Sequence, residues 1–232
     1  MMRTFTTFHQ AFGELARELK EMGVLHHTQT MQDKDISHDP DYDTYALQFY
    51  GYRVTQPDAL ELEPSMPWAE MEWAERRLGI EGAPVNPGNA WKMRSDVWAE
   101  FIQTDGKFAY SYGERFNDCD QVLRVVDRLR EDPGSRQCRV HMWDIPDVDR
   151  LGTLRVPCSI YYAFHQDLSD KSALNMEYHM RSCDFATHFQ NDVYLAMKLF
   201  EYVAEGAGLR MGHFIHTIEN FHVYLKDVKG VF

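Results

Sequence analysis

The chain has 232 residues, of which 44% are hydrophobic and 13% aromatic, so it can bury a core and lacks the composition of a disordered polypeptide. Its formal net charge of −12 excludes a protein that wraps nucleic acid through a basic face, although a few converging arginines could still bind a small anion. No apolar leader follows Met1, and no apolar run is long enough to span a membrane. The four cysteines lack metal-binding spacing, so we expect one reduced, soluble domain at residues 1–232, without a metal site and in the cytoplasm.

The predicted elements follow from apolar periodicity and turn signals. Apolar spacings of three and four residues indicate helices, and alternating β-branched and aromatic residues indicate strands. In chain order they are a helix at 4–22, a strand at 45–54, a helix at 68–78 capped by Ser65, a short helix at 96–102 capped by Ser95, a strand at 108–113 leading into a turn, a helix capped by Asn117 or Asp118 and ending near Arg130, strands at 138–143, 157–164 and 174–180, a helix at 191–207, and a strand at 213–225. Because these elements show no regular strand–helix–strand rhythm, the predicted class is α+β around one large sheet.

Residues 25–43 are polar and contain His26, His27 and His38. Histidines at this spacing could in principle hold a metal. We interpret the stretch instead as a solvated loop with a short strand.

Cys158 follows Pro157 at the head of a predicted strand. A lone cysteine is often a small buried hydrophobe, and a thiol with an ordinary pKa of ~8.5 needs cationic neighbours to ionise near neutral pH. Arg136 and Arg181 are candidate neighbours. The residues alone therefore leave both a packing role and a nucleophilic role open.

Between residues 68 and 225, several short motifs resemble the thymidylate synthase family in order and spacing. They are Glu70-Met71-Glu72-Trp73, Tyr112-Gly113, Asp132-Pro133-Gly134-Ser135-Arg136, Val156-Pro157-Cys158, Arg181-Ser182-Cys183-Asp184, Gly212-His213-Phe214-Ile215-His216-Thr217 and His222-Val223-Tyr224. No single motif is specific, and the resemblance depends on their order. It implies a thymidylate synthase-like fold in which one large mixed sheet is packed by helices and one sheet face forms a dimer interface.

The resemblance also implies a chemistry, the transfer of a one-carbon unit to C5 of a pyrimidine nucleotide. Cys158 would add to C6 of the base as a covalent nucleophile. Glu70 would manage protons for the base and for 5,10-methylenetetrahydrofolate, the implied co-substrate. Trp91 and Asp184 would contact the folate together with Glu70.

Nucleotide binding is implied in the same way. Arg181 and Ser182 would hold the 5′-phosphate, and His222 and Tyr224 would contact the sugar 3′-hydroxyl. Arg136 would reach the phosphate site of a neighbouring subunit, which implies a homodimer with shared sites. The implied substrate-binding residues are Tyr112, Arg136, Arg181, Ser182, Asp192, His222 and Tyr224. The family's N-terminal phosphate-binding arginine has no counterpart, because only Lys34 lies between Gly23 and Tyr45 and it is not assigned to that role.

One departure from the family concerns base choice. Counting from Asp184 places Asp192 where the synthases carry an asparagine that bonds uracil. An amide both donates and accepts, whereas a carboxylate accepts only, unless it is protonated. Asp192 therefore favours cytosine, with its 4-amino donor and a ring N3 that could share a proton. The Asn191-Asp192 pair after Phe189 resembles phage deoxycytidylate 5-hydroxymethylases, which would place the protein in a host cytoplasm and its product in modified DNA.

A second departure concerns the product. The sequence stops at Phe232, shortly after Tyr224, where synthases continue with a segment that closes over folate. We expect a less sealed site, in which water captures the exocyclic methylene on C5 and leaves tetrahydrofolate and a 5-hydroxymethyl product. The alternatives are a CMP hydroxymethylase, a C5-methylase of dCMP or dUMP, a uracil-specific enzyme if the alignment at Asp192 needs a gap, and a catalytically dead nucleotide-binding relative. Retention of Cys158, Glu70, Arg181 and Asp192 argues against a dead relative.

Overall fold

A seven-stranded mixed sheet forms the centre of the fold. The computed structural model describes residues 2–31 and 34–232; Met1, residues 32–33 and the side chain of Lys34 are outside that description. The described elements are β1 (Arg3–Phe5), α1 (Phe8–Met22), β2 (Val24–His26), β3 (Thr30–Met31), β4 (Lys34–Asp35), β5 (Thr44–Val54), α2 (Trp68–Ile80), α3 (Ser95–Trp98), α4 (Tyr112–Asn117), α5 (Gln121–Glu131), β6 (Arg139–His141), α6 (Pro146–Asp149), β7 (Ser159–Gln166), β8 (Ala173–Asp184), α7 (Phe189–Ala207), β9 (Arg210–Tyr224) and α8 (Val228–Val231).

The sheet runs in the order β1-β5-β9-β8-β7-β6, and β2 pairs with the start of β5. The central strands β8 and β9 are parallel, whereas β9 is antiparallel to β5 and β8 is antiparallel to β7. Their register sets Ser182 opposite Asn220 and Asp184 opposite His222. The carboxyl ends of the two central strands therefore meet at one edge of the sheet, together with the side chains predicted to act there.

Helices cover one face of the sheet. Buried apolar residues of α7, including Val193, Met197 and Phe200, pack against β8 and β9 and join one hydrophobic core with α1, α2 and α5. The helix ends at Gly208, whose φ of 72° is the left-handed conformation that glycine adopts without strain. Long, periodic apolar stretches of this kind give the clearest sequence signal, and the predicted helix at 191–207 is confirmed.

The α+β class with one large sheet is confirmed, but the strand predicted at 108–113 is wrong. Phe108 has no strand partner, because its backbone N–H and C=O bond to the side chain of Asn86. Ser111 then caps α4 with a reciprocal capping box to Glu114, so Tyr112 begins a helix. Residues 108–111 therefore form an irregular segment beside the cleft described below.

Helix α2 also differs from its prediction at both ends. Ser65 is not its cap; the side chain of Asn191 accepts the Ser65 backbone N–H instead. Gly79 does not end the helix, which continues to Ile80. A Cβ on Gly79 would lie 2.1 Å from the carbonyl oxygen of Gly113, so glycine is needed there for the close approach of α2 and α4.

The opposite face of the sheet carries a half-buried polar layer on its central strands. Glu177 accepts hydrogen bonds from Tyr161 and Thr217, and His179 bonds to both Thr217 and Glu219. No described helix combines the length and the apolar character needed to cross a lipid bilayer.

Candidate active site

A cleft of about 620 Å³ lies where β8 and β9 end. Its walls come from α2, from the irregular segments around α3, and from the first turn of α7. The predicted site residues that line it are Trp91, Tyr112, Cys158, Arg181, Ser182, Asp184, Asp192, His222 and Tyr224. Glu70 and Arg136 are the predicted residues that do not line it. Arg136 is exposed on the surface.

The Cys158 sulfur lies beside the guanidinium of Arg181. Arg181 Nε donates to the carbonyl of Pro157 at 2.9 Å, and its Nη2 donates to the carbonyl of Val156 at 3.2 Å. The same Nη2 is 3.7 Å from Cys158 Sγ. These contacts fix a positive charge next to the sulfur, which is the environment that a thiolate nucleophile requires.

Asn191 and Asp192 are neighbours in the first turns of α7 but use their side chains differently. Asn191 is buried, and its Oδ1 accepts the backbone N–H of Ser65 at 2.7 Å. Its amide nitrogen donates to the carbonyl of Thr187 at 3.2 Å. Both polar atoms of Asn191 are thus used in packing α7, and Asp192 is the member of the pair that lines the cleft.

Burial and nearby positive charges shift the pKa of the Asp192 carboxyl group in opposite directions. Burial raises its pKa to about 7, because an ionised carboxylate loses hydration there, while the nearby cations Arg76, Arg94 and Arg155 oppose the shift. Near neutral pH the group therefore exists in both forms. In its protonated form it donates one hydrogen bond and accepts others, which an ionised carboxylate cannot do.

Asp184 shapes the turn into α7. Its Oδ1 accepts the backbone N–H of Ala186 at 3.0 Å and that of Thr187 at 3.4 Å. Next to it, burial lowers the pKa of His188 to about 4 and also lowers the pKa of His222. Both imidazoles are therefore neutral at physiological pH and can offer a donor or an acceptor without adding charge.

Two acids of α2, Glu72 and Glu75, line the cleft, whereas the predicted Glu70 does not. Glu70 is exposed and accepts a hydrogen bond from the hydroxyl of Tyr194 on α7. Trp68, Glu72 and Arg76 recur every fourth residue and so share one helix face, whereas Glu70 lies on the other. Glu72 Oε1 accepts from Arg76 Nε at 2.8 Å, so the acid is paired and fixed inside the cleft.

Tyr112 is positioned by a chain of hydroxyl groups. Its hydroxyl is 3.2 Å from that of Ser159, which is 2.7 Å from the hydroxyl of Tyr178. The guanidinium of Arg76 lies 4.1 Å from the centre of the Tyr112 ring. Burial raises the pKa of Tyr112 well above its ordinary value, so the phenol keeps its proton in the cleft.

The wall opposite α7 is aromatic and irregular, and we call it the aromatic wall. Its rings belong to Trp91, Trp98, Phe101, Phe108 and Tyr110. Trp91 meets Phe108 edge to face with ring centres 6.2 Å apart. Glu75 of α2 supports this wall, because its Oε1 accepts the backbone N–H groups of Asn89 and Ala90.

Arg155 belongs to the same wall. Its guanidinium carbon is 4.2 Å from the ring centre of Trp98, 5.2 Å from that of Tyr110 and 5.5 Å from that of Phe101. The loop before Arg155 is fixed by Asp147, a fully buried carboxylate that accepts from Arg115 and Arg150, each at 2.7 Å.

Sequence reasoning missed Glu72, Trp98, Arg155 and Ser159. The helical spacing of Trp68, Glu72 and Arg76 could have indicated Glu72. Ser159 could have been indicated by its position directly after Cys158. Trp98 ends the four-residue helix α3 and Arg155 lies outside the helices and strands, so neither had a periodic signal.

Within the described residues, no group of three or more metal-ligating side chains converges on a point. In the His-rich stretch, His27 Nδ1 pairs with Asp43 at 2.5 Å.

The sequence model of the family described as thymidylate synthase matches residues 88–231. This match covers more than half of the chain, and the chain belongs to the thymidylate synthase family. A thymidylate synthase from Clostridium beijerinckii is 29% identical over 135 residues, which are 58% of this chain and 49% of that protein. The chain thus spans about half the length of the curated relative it matches.

Among solved structures, the thermostable thymidylate synthase A from Bacillus subtilis matches with a TM-score of 0.74. The match covers 97% of this chain and 83% of that chain at 20% sequence identity. Identity this low supports the fold and not the substrate. The expected thymidylate synthase-like fold is therefore confirmed.

Proposed function

We propose that this chain is a deoxycytidylate 5-hydroxymethyltransferase that uses 5,10-methylenetetrahydrofolate. The observation that carries the proposal is that Asp192 lines the cleft with Cys158, while the polar atoms of Asn191 are bonded elsewhere. A carboxyl group with a pKa of about 7 accepts a hydrogen bond from the 4-amino group of cytosine and shares its proton with N3. An asparagine amide can donate a hydrogen bond to N3 but cannot transfer a proton to it, so an aspartic acid at this position favours activation of cytosine.

The chemistry begins with Cys158, whose thiolate adds to C6 of the base. The electron pair of the C5–C6 double bond moves into the ring, where the proton shared between Asp192 and N3 stabilises it. C5 then bonds to the methylene carbon of 5,10-methylenetetrahydrofolate, and loss of the C5 proton and of tetrahydrofolate leaves an exocyclic methylene. Water adds to that methylene as Cys158 leaves C6, so one water is consumed and no folate is oxidised.

We assign proton transfer to Glu72 and not to Glu70. Glu72 faces the cleft, is paired with Arg76, and lies on the same wall as the Tyr112 hydroxyl. A fixed acid and a protonated phenol are the groups that a water-assisted proton transfer at C5 requires. These polar groups also keep water in the cleft, which favours hydroxymethyl over methyl as the product.

The aromatic wall fits the folate co-substrate. A flat pterin ring packs on indole and phenyl faces, and Trp91 and Trp98 provide two of them. The indole nitrogens of both residues are buried without an acceptor among the described residues. Asp184, which also lines the cleft, stays assigned to the folate as the family resemblance implies.

The nucleotide is assigned to the ends of β8 and β9. Arg181 and Ser182 bind the phosphate, and neutral His222 with Tyr224 binds the sugar hydroxyl. Arg136, exposed and outside its own cleft, is assigned to the phosphate of a second subunit. The resulting homodimer is formed through the polar sheet face.

A second candidate is C5-methylation of dUMP. The name of the Clostridium beijerinckii relative, thymidylate synthase, favours it. In its protonated form Asp192 could also bond N3–H and O4 of uracil, so base choice has to be measured directly.

The test is one assay of the purified chain with 5,10-methylenetetrahydrofolate and, separately, dCMP, CMP and dUMP. Mass spectrometry identifies the nucleotide product, and absorbance reports formation of dihydrofolate. We expect hydroxymethyl addition to dCMP without dihydrofolate. A methyl group on dCMP with dihydrofolate would leave the base assignment intact and refute water capture, whereas turnover of dUMP alone would refute the role of Asp192.

A further inference from the structure

The guanidinium of Arg155 differs from the other guanidiniums that line the cleft. Arg76 is paired with Glu72, and Arg181 is bonded to the backbone carbonyls beside Cys158. Arg155 has neither an ion pair nor a hydrogen-bond acceptor within residues 2–31 and 34–232, and its Nε is buried without a partner. A guanidinium that lines a cleft without an ion pair keeps its terminal N–H groups available for an acceptor from outside the chain.

The position of Arg155 is set by aromatic rings. The three rings around its guanidinium hold it by cation–π contacts, with the Trp98 face closest at 4.2 Å. Because Nε is buried, the terminal Nη groups are the donors left for a ligand. A guanidinium held in this way is suited to a planar oxygen acceptor, such as a carboxylate or a ring carbonyl.

The acceptor can be assigned to one of the two reactants. Arg155 stands in the aromatic wall, which suits a flat ring system, whereas the phosphate end of the cleft has Arg181 and Ser182. Tyr110 O–H, also on this wall, is buried without a partner among the described residues, so the wall carries a second donor that a ligand could use. A folate carries planar oxygen acceptors at both ends, in the ring carbonyl of its pterin and in the carboxylates of its glutamate.

We propose that Arg155 is a binding residue for the one-carbon donor and donates to an oxygen of the folate. The inference rests on the proposed function, since it requires that a folate enters this cleft. Arg155 therefore contributes to the affinity for folate and not to the affinity for the nucleotide.

The experiment measures binding and needs no turnover. Quenching of tryptophan fluorescence in the presence of saturating dCMP gives the Kd of pteroylglutamate and of pteroic acid, which lacks the glutamate. The variants are Arg155→Met and Arg155→Lys. The matched control is Arg17→Met, because Arg17 is exposed outside the cleft and pairs with Glu14 and Glu21 of its own helix.

We expect Arg155→Met to raise the Kd of pteroylglutamate about tenfold, the size expected for loss of a charge-assisted hydrogen bond. Arg155→Lys should fall between the wild type and Arg155→Met, and Arg17→Met should match the wild type. An equal loss for pteroic acid assigns the contact to the pterin carbonyl, and a loss confined to pteroylglutamate assigns it to a glutamate carboxylate.

The inference is overturned if Arg155→Met binds both folates like the wild type, or if it loses dCMP affinity instead. Each result is distinct from failure of the proposed function. If the proposed function itself fails, the wild-type chain binds neither a folate nor a pyrimidine nucleotide.

Discussion

Cys158, Arg181 and Asp192 lie on one side of the cleft, at the ends of β7, β8 and α7. The other side, the aromatic wall with Arg155, is built from irregular backbone between short helices. On the first side, strand pairing and a buried helix fix each group, and Arg181 is bonded to the carbonyls of Pro157 and Val156. On the second side, several buried donors have no acceptor of their own. The contrast suggests that the regular side performs the chemistry on the nucleotide, while the irregular side is completed by a second reactant.

The largest effect should come from Cys158→Ser, which tests the regular side. A serine hydroxyl is a far weaker nucleophile than a thiolate, so we expect turnover to fall by at least about a thousandfold. Binding of dCMP should change little, because Arg181 and Asp192 remain. Product formation by mass spectrometry and dCMP affinity by calorimetry measure the two quantities separately. Cys119→Ser, at an exposed cysteine outside the cleft, is the matched control; full activity of Cys158→Ser would contradict covalent catalysis.

Asp192→Asn should have the next largest effect. An amide cannot share a proton with N3, so we expect kcat/KM for dCMP to fall about a hundredfold and the preference to shift toward dUMP. In the wild type, the proton on Asp192 is held below pH about 7 and lost above it, so kcat/KM for dCMP should decline as the pH rises through that value. The pH profile of each variant measures this decline. An unchanged base preference in Asp192→Asn would remove the case for cytosine.

The same variant has a stability signature that does not depend on activity. The folded protein keeps the Asp192 proton up to pH about 7, whereas the unfolded chain releases it near the ordinary value of 3.8. Unfolding between these two values therefore releases a proton, and this group makes the protein less stable as the pH rises through that window. Asp192→Asn should remove that slope, which urea unfolding at pH 5 and pH 7 measures. Equal pH dependence in both proteins would show that the carboxyl group is not desolvated.

The two sides also differed in how far the sequence predicted them. Helix α7 and strands β8 and β9 were predicted within a few residues, because long apolar periodicities report burial directly. Asp192 could be predicted to lie near Asp184 because only a short turn at residues 185–188 separates β8 from α7. Glu70 was assigned from the family resemblance, and its contact with Tyr194, which is tertiary, could not be predicted from the sequence. Arg155 has no local signal at all, since its ring contacts join parts of the chain far apart in sequence.

Asp147→Asn should act on stability and not on turnover, and it tests how the irregular side is held. Asp147 is fully buried and neutralises Arg115 and Arg150, so loss of its charge leaves the buried guanidinium of Arg115 with Asp144 at 3.3 Å as its remaining counterion. We expect the free energy of unfolding to fall by about 3 kcal/mol, as is typical when a buried ion pair loses one partner.

The matched control for this loss is Asp127→Asn, which breaks an exposed pair with Arg130 at 3.1 Å. We expect it to cost less than about 1 kcal/mol, because solvent screens exposed pairs. If the wall is fixed mainly by Asp147, the Asp147 variant should also weaken pteroylglutamate binding at temperatures where it remains folded, without affecting dCMP. Folate affinity equal to that of the wild type would mean that the aromatic contacts of Arg155 hold the wall by themselves. The irregular side would then be as preorganised as the regular one, and the contrast between them would reduce to hydrogen bonding alone.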